Sequence, residues 1–158
     1  MNYFYLDIDK VMPSQLYISK EKLKNVIKYI RNNGVNNIEP IPVKQIDNII
    51  FYTDGHTRAF ALWKMGFKKI KVVWETEELD WELYLICINW CKNEKISNIS
   101  HLKIISHNQY KKWWIKRCKD LCKQLYSSRN MCWKRNGYIF LIYPLFLKRG
   151  VTISKTTF

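Results

Sequence analysis

Apolar and polar positions alternate at the start of the chain. Phe4, Leu6 and Ile8 fall on one side of an extended segment, and Tyr3, Tyr5 and Asp7 on the other. That pattern predicts a strand, apolar on both faces for most of its length. After a loop at 9–15 containing Met12-Pro13, the period changes, and Leu23, Val26, Ile27 and Ile30 recur at helical spacing. Ser19 is placed to cap this helix, Glu21 lies in its first turn, and Asn32-Asn33-Gly34 ends it. Two strands are expected at 38–44 and 49–52, with a hairpin turn at 45–48 between them. Pro40 and Pro42 predict that the first of these is an edge strand or begins late. A helix burying Ala59, Phe60, Leu62 and Trp63 stops at Gly66, and Ile70, Val72 and Val73 mark a strand over 69–74.

Two more helices are expected, capped by Asp80 and Ser106 and running over 81–93 and 107–126, with a connector at 98–106. On the second, Trp113, Trp114, Arg117, Cys118 and Leu121 share a broad face, and Ser127-Ser128-Arg129-Asn130 is expected to break it. From Met131 onward the pattern matches no packed element. The order predicts an α/β fold, α+β in looser usage: a small mixed sheet with helices, then a C-terminal helical arm. The expected division is a domain at 1–78, an arm packed on it at 79–126, and a basic, aromatic tail at 127–158.

With 158 residues, 47% of them hydrophobic and 15% aromatic, the chain is long and apolar enough for one packed domain. The net charge of +14 is unevenly placed, because residues 103–158 hold 13 basic residues and one acid. Attraction to nucleic acid therefore concerns the last third. There Lys111, Lys112, Lys116 and Arg117 lie among aromatic residues and are the candidate contacts for DNA or RNA. The alternative reading of the same stretch is a packing helix with its Trp face in the core and its Lys face solvated. No window reaches the ~18 apolar residues of a membrane span, so no membrane partner is expected. No basic leader region opens the chain. Five cysteines, an odd number, point to a reducing cytoplasm rather than a disulfide framework. Cys87 with Cys91, and Cys118 with Cys122, are spaced for helix faces and read as core thiols or as zinc ligands.

The densest chemistry is Asp54-Gly-His-Thr-Arg58, between a strand end and a helix. Gly55 permits a sharp bend, and the helix start after it offers free N–H groups to an anion. Arg58 adds a planar donor fork toward phosphate, or else a salt bridge to an acid. Asp54 reads as a magnesium or nucleophile ligand, or as the helix cap. His56 reads as a phosphate donor or general acid, and Thr57 can turn its hydroxyl to the same phosphate. Gln15 is a candidate substrate or ribose contact, and Glu39 a candidate base or ribose contact.

Three stretches resemble the ParB/sulfiredoxin-like superfamily: Ile8-Asp-Lys-Val-Met-Pro-Ser-Gln15, Glu39-Pro-Ile-Pro-Val43, and Asp54-Gly-His-Thr-Arg-Ala59 followed by Gly66. They resemble, in turn, an I-x-x-I/M-x-P opening loop, a Q-P-I-x-V strand and the G-x-x-R box of ParB and sulfiredoxin. The D-G-H-T-R box looks most like the D-G-H-H-R of nucleotide-dependent free-serine kinases. The resemblance spans about residues 2–75. It implies nucleotide binding (ATP, ADP or CTP), with magnesium, and a phosphotransferase or nucleotide hydrolase acting with a small hydroxyl substrate. His56 stands where a sulfiredoxin has its cysteine nucleophile, so sulfinic acid reduction is not expected. Gln15 stands where the serine kinases carry the acid toward the substrate hydroxyl, and an amide takes no proton there.

Overall fold

The computed structural model describes residues 2–133, with residues 130–133 described by backbone alone. Residues 1–123 form one compact unit, and the end of the last helix belongs to a second. The expectations for the tail beyond Trp133 lie outside the described residues.

The architecture is mixed α+β, as the pattern predicts. Strand β1 (Phe4–Asp7) is followed by a 3-10 turn (Ile8–Lys10) and the short β2 (Tyr17–Ser19). Helix α1 (Lys20–Asn33) begins where the Ser19 hydroxyl accepts the Lys22 N–H, and it ends at Gly34 with φ 83°. Strands β3 (Ile41–Ile46) and β4 (Ile49–Tyr52) form the expected hairpin. Then come α2 (His56–Lys64), β5 (Lys69–Trp74) and α3 (Trp81–Asn93), the last capped by Asp80. The chain continues through β6 (Lys103–Ile105) into α4 (His107–Tyr110), whose start carries a capping box between Ser106 and Gln109. A π-helical stretch (Lys111–Ile115) joins α4 to α5 (Lys116–Trp133).

The main sheet runs β1-β5-β3-β4, with β3 parallel to β5 and the other pairs antiparallel. β3 begins late, after Pro40, but it is interior and not an edge strand. Pro42 is tolerated there because its missing donor is replaced. Thr53 N donates to Pro42 O at 3.1 Å, while Thr53 O accepts the Tyr84 hydroxyl at 2.9 Å in place of a ladder N–H. The outer side of β4 is covered by Met12, which bonds to Ile50 O and Tyr52 N.

Three further expectations are corrected. The connector at 98–106 contains β6, which pairs in parallel with β2, Ser19 opposite Ile105. The helix does not break at Ser127-Ser128, because the Ser128 hydroxyl donates to Leu125 O at 2.9 Å and the helix continues. Trp63, Trp113 and Arg117 are exposed, leaving Trp114, Cys118 and Leu121 as the buried side of the last helix.

Candidate functional site

The turn between β4 and α2 is built around one glycine. Gly55 has φ 77° and ψ 15°, in the left-handed region. A Cβ there would lie 3.0 Å from Arg58 Nη2 and 3.0 Å from Ile41 Cγ2, so the missing side chain gives the guanidinium its place. Arg58 folds back over the turn. Its Nη1 donates to Glu39 O at 3.2 Å and lies 3.9 Å from Glu39 Oε2, and its Nη2 lies 3.5 Å from Asp54 Oδ2. The Arg58 side chain is 23% exposed, against 36% for Asp54 and 87% for Glu39. Asp54 does not cap the helix: among the described residues no side chain caps α2. Its first-turn N–H groups, those of Thr57 included, therefore point toward the same bend as Arg58.

His56 is buried, and its surroundings set its protonation. Ser14 N donates to His56 Nε2 at 3.0 Å, while the Ser14 hydroxyl donates to Tyr52 O at 2.7 Å. With the hydroxyl hydrogen committed to Tyr52, Nε2 is an acceptor and the ring proton belongs on Nδ1. Burial holds the imidazole down to about 3, so the ring is neutral near pH 7. Nε2 thus accepts and fastens the loop at 11–16 to the turn, which leaves Nδ1–H as the ring's donor. Gln15 is also buried. Its Nε2 donates to Tyr17 O at 2.8 Å, and its backbone oxygen accepts from Cys91 Sγ at 3.4 Å.

Asp54, Gly55, Arg58 and Glu39 are therefore brought together, with Thr57 half-buried beside them. A residue absent from the sequence expectations joins them. Lys22, half-buried in the first turn of α1, holds its ammonium 5.1 Å from the Tyr110 ring centroid. Burial lowers its pKa, and the Asp54 carboxylate acts in the opposite direction. The same carboxylate helps raise the Tyr110 hydroxyl, after burial and Cys118. One sequence signal pointed to Lys22: a cation at a helix start opposes the helix dipole and needs another reason to be there. At the corner Arg58 thus faces both carboxylates directly, and Lys22 acts on Asp54 through its charge. No group of three or more His, Cys, Asp or Glu able to hold a metal occurs among the described residues. Asp54 would therefore hold magnesium only together with phosphate oxygens.

The candidate nucleic-acid residues lie on the last helix. Lys116 bonds to Asp120 at 2.6 Å and Arg117 lies 3.9 Å from the Trp90 ring centroid, while Lys111 and Lys112 are exposed. Cys87, Cys91 and Cys118 are buried core thiols. A hydrogen bond with Cys118, then burial, raises Cys87, and burial pushes Cys91 up to about 12.

The structure is similar to that of protein Atu1540 from Agrobacterium tumefaciens, with 16% identity and a TM-score of 0.45 over 65% of this chain and 62% of that one. It is also similar to a free serine kinase in complex with ADP, with 22% identity and a TM-score of 0.44 over 48% and 32% of the two chains. A sulfiredoxin from Arabidopsis thaliana matches with 21% identity and a TM-score of 0.41 over 49% and 88%. The chain spans 62% of the length of Atu1540 and 32% of the length of the kinase. No protein-family model matches the chain, and no curated protein does. No helix among the described residues is long and apolar enough to cross a membrane.

Proposed function

We propose that the start of α2 binds the phosphates of a nucleotide, ATP, ADP or CTP. The observation that supports this reading most directly is the Gly55–Arg58 pair. A glycine in a left-handed conformation makes room for a guanidinium laid across an uncapped helix start. Arg58, the first-turn N–H groups and the Thr57 hydroxyl hold the phosphates, and Lys22 supplies a second cation. Asp54 shares a magnesium ion with the phosphate oxygens, which relieves the charge that Asp54 and Glu39 would otherwise set against them. His56 positions the turn through Nε2, and its Nδ1–H is the donor it can offer the phosphates. If a phosphoryl group passes to a small hydroxyl compound, a base must take its proton, and Asp54 and Glu39 are the carboxylates this corner offers. Gln15, the candidate substrate contact, spends an amide N–H on Tyr17 O.

Isothermal titration with ATP, ADP and CTP plus magnesium tests the reading. Arg58→Ala should stay folded and bind at least about tenfold more weakly, as expected for a hydrogen bond to a charged group worth about 1.5–3 kcal/mol. Absence of binding to the unaltered protein at millimolar nucleotide would sink the reading. Equal affinity in the Arg58→Ala variant would move the site elsewhere.

A further inference from the structure

A second feature lies apart from the α2 corner and does not depend on it. Residues 103–123 hold seven basic residues and a single acid. The helix that begins at α4 buries Tyr110, Trp114, Cys118 and Leu121. Lys112, Lys116, Lys119 and Lys123 recur at helical spacing away from that side, and all four are exposed. At ~1.5 Å per residue the row is roughly 16 Å long. Asp120 pairs with Lys116, and its charge also feels Lys123. Lys112, Lys119 and Lys123 have no acid partner in any ion pair among the described residues.

Lysines alone would serve any polyanion. An exposed aromatic residue on the same helix narrows the choice. Trp113 is 43% exposed, with the Tyr17 ring behind it at 6.0 Å. Trp113 follows Lys112 in the π-helical stretch, about a quarter turn around the helix from the row. An exposed indole about a quarter turn from a phosphate-binding row suits unpaired bases, which can swing out and stack, whereas a duplex keeps its bases stacked inside. We propose that the outer face of this helix binds single-stranded nucleic acid, with the phosphate backbone along the lysine row and a base stacked on Trp113.

Fluorescence anisotropy of the full chain with a labelled oligothymidylate of about 12 nucleotides tests this. The logarithm of affinity should fall linearly with the logarithm of salt, with a slope of about −2 to −3 for three or four lysines on a single strand. The combined Lys112→Gln, Lys119→Gln and Lys123→Gln variant should bind at least about tenfold more weakly and flatten that slope. Trp113→Ala should weaken oligonucleotide binding about fivefold or more while leaving heparin binding unchanged. Circular dichroism and thermal unfolding check that the variants fold. The inference fails if the unaltered protein does not bind at low salt, or if the triple variant binds as well. It also fails if heparin or anionic vesicles bind as tightly as the oligonucleotide with no dependence on Trp113.

Discussion

His56 shows how a residue chosen for its chemistry can be held for its geometry. In an unfolded chain its imidazole titrates near ~6.5; in the folded chain burial keeps it down to about 3. Above about pH 6.5 the ring is neutral in both states, and its contribution to stability is complete. As pH falls through the window between these values, the unfolded chain takes up a proton that the folded chain refuses. Stability should therefore fall, with a slope approaching about 1.4 kcal/mol per pH unit. Urea unfolding between about pH 7.5 and 4.5 measures this. His56→Gln keeps an acceptor for Ser14 N but has no titration, so it should lose that part of the slope. Equal slopes in both proteins would show that His56 does not control the effect. Gly55, Asp54 and Arg58 were legible in the sequence because they lie within one turn. The burial of His56 was not, because its partner Ser14 is 42 residues away and looks like an ordinary loop serine. Lys22 was missed for the same reason: its neighbours Asp54 and Tyr110 belong to other elements.

Among the elements, the hairpin β3–β4 carries the site, since its open end delivers both Glu39, just before β3, and Asp54, just after β4. Its weak point is Pro42, an interior strand residue without a donor. The Tyr84 hydroxyl fills the gap at Thr53 O. Tyr84→Phe leaves that buried carbonyl without this bond and should cost about 1–3 kcal/mol. Pro42→Ala alone should cost about 0.4–1 kcal/mol through a freer unfolded chain. Combined with Tyr84→Phe it restores a backbone N–H opposite Thr53 O, so the double variant should be more stable than the sum of the two losses predicts. Urea denaturation of the four proteins measures that coupling. Strict additivity would mean that Tyr84 does not replace the missing ladder bond. The capped helices were legible because Ser19, Asp80 and Ser106 are strong local signals. Strands β2 and β6 were not, since three residues are too few to show a period and their pairing joins distant parts of the chain.

At the scale of the whole molecule, the helical arm completes the first 78 residues and is more than an attachment to them. β6 supplies the partner of β2, immediately before α1 and its Lys22. From α3 come the Tyr84 hydroxyl to Thr53 and the Cys91 thiol to Gln15 O. Phe51, fully buried in β4, packs against Trp81 and Tyr84 at 6.5 and 5.9 Å between ring centroids. Removing the arm would expose these aromatic faces and leave Thr53 O and β2 without their partners. A fragment comprising residues 1–78 should therefore show no cooperative urea transition. A fragment of residues 1–123, the compact unit, should unfold in one steep transition. Circular dichroism and tryptophan fluorescence, recorded on both fragments across the same urea series, distinguish these outcomes. A cooperative transition in the shorter fragment would make the nucleotide corner independent of the arm. Its absence would mean that every property of the corner, from the Arg58 brace to the neutral His56, depends on residues the motifs do not contain.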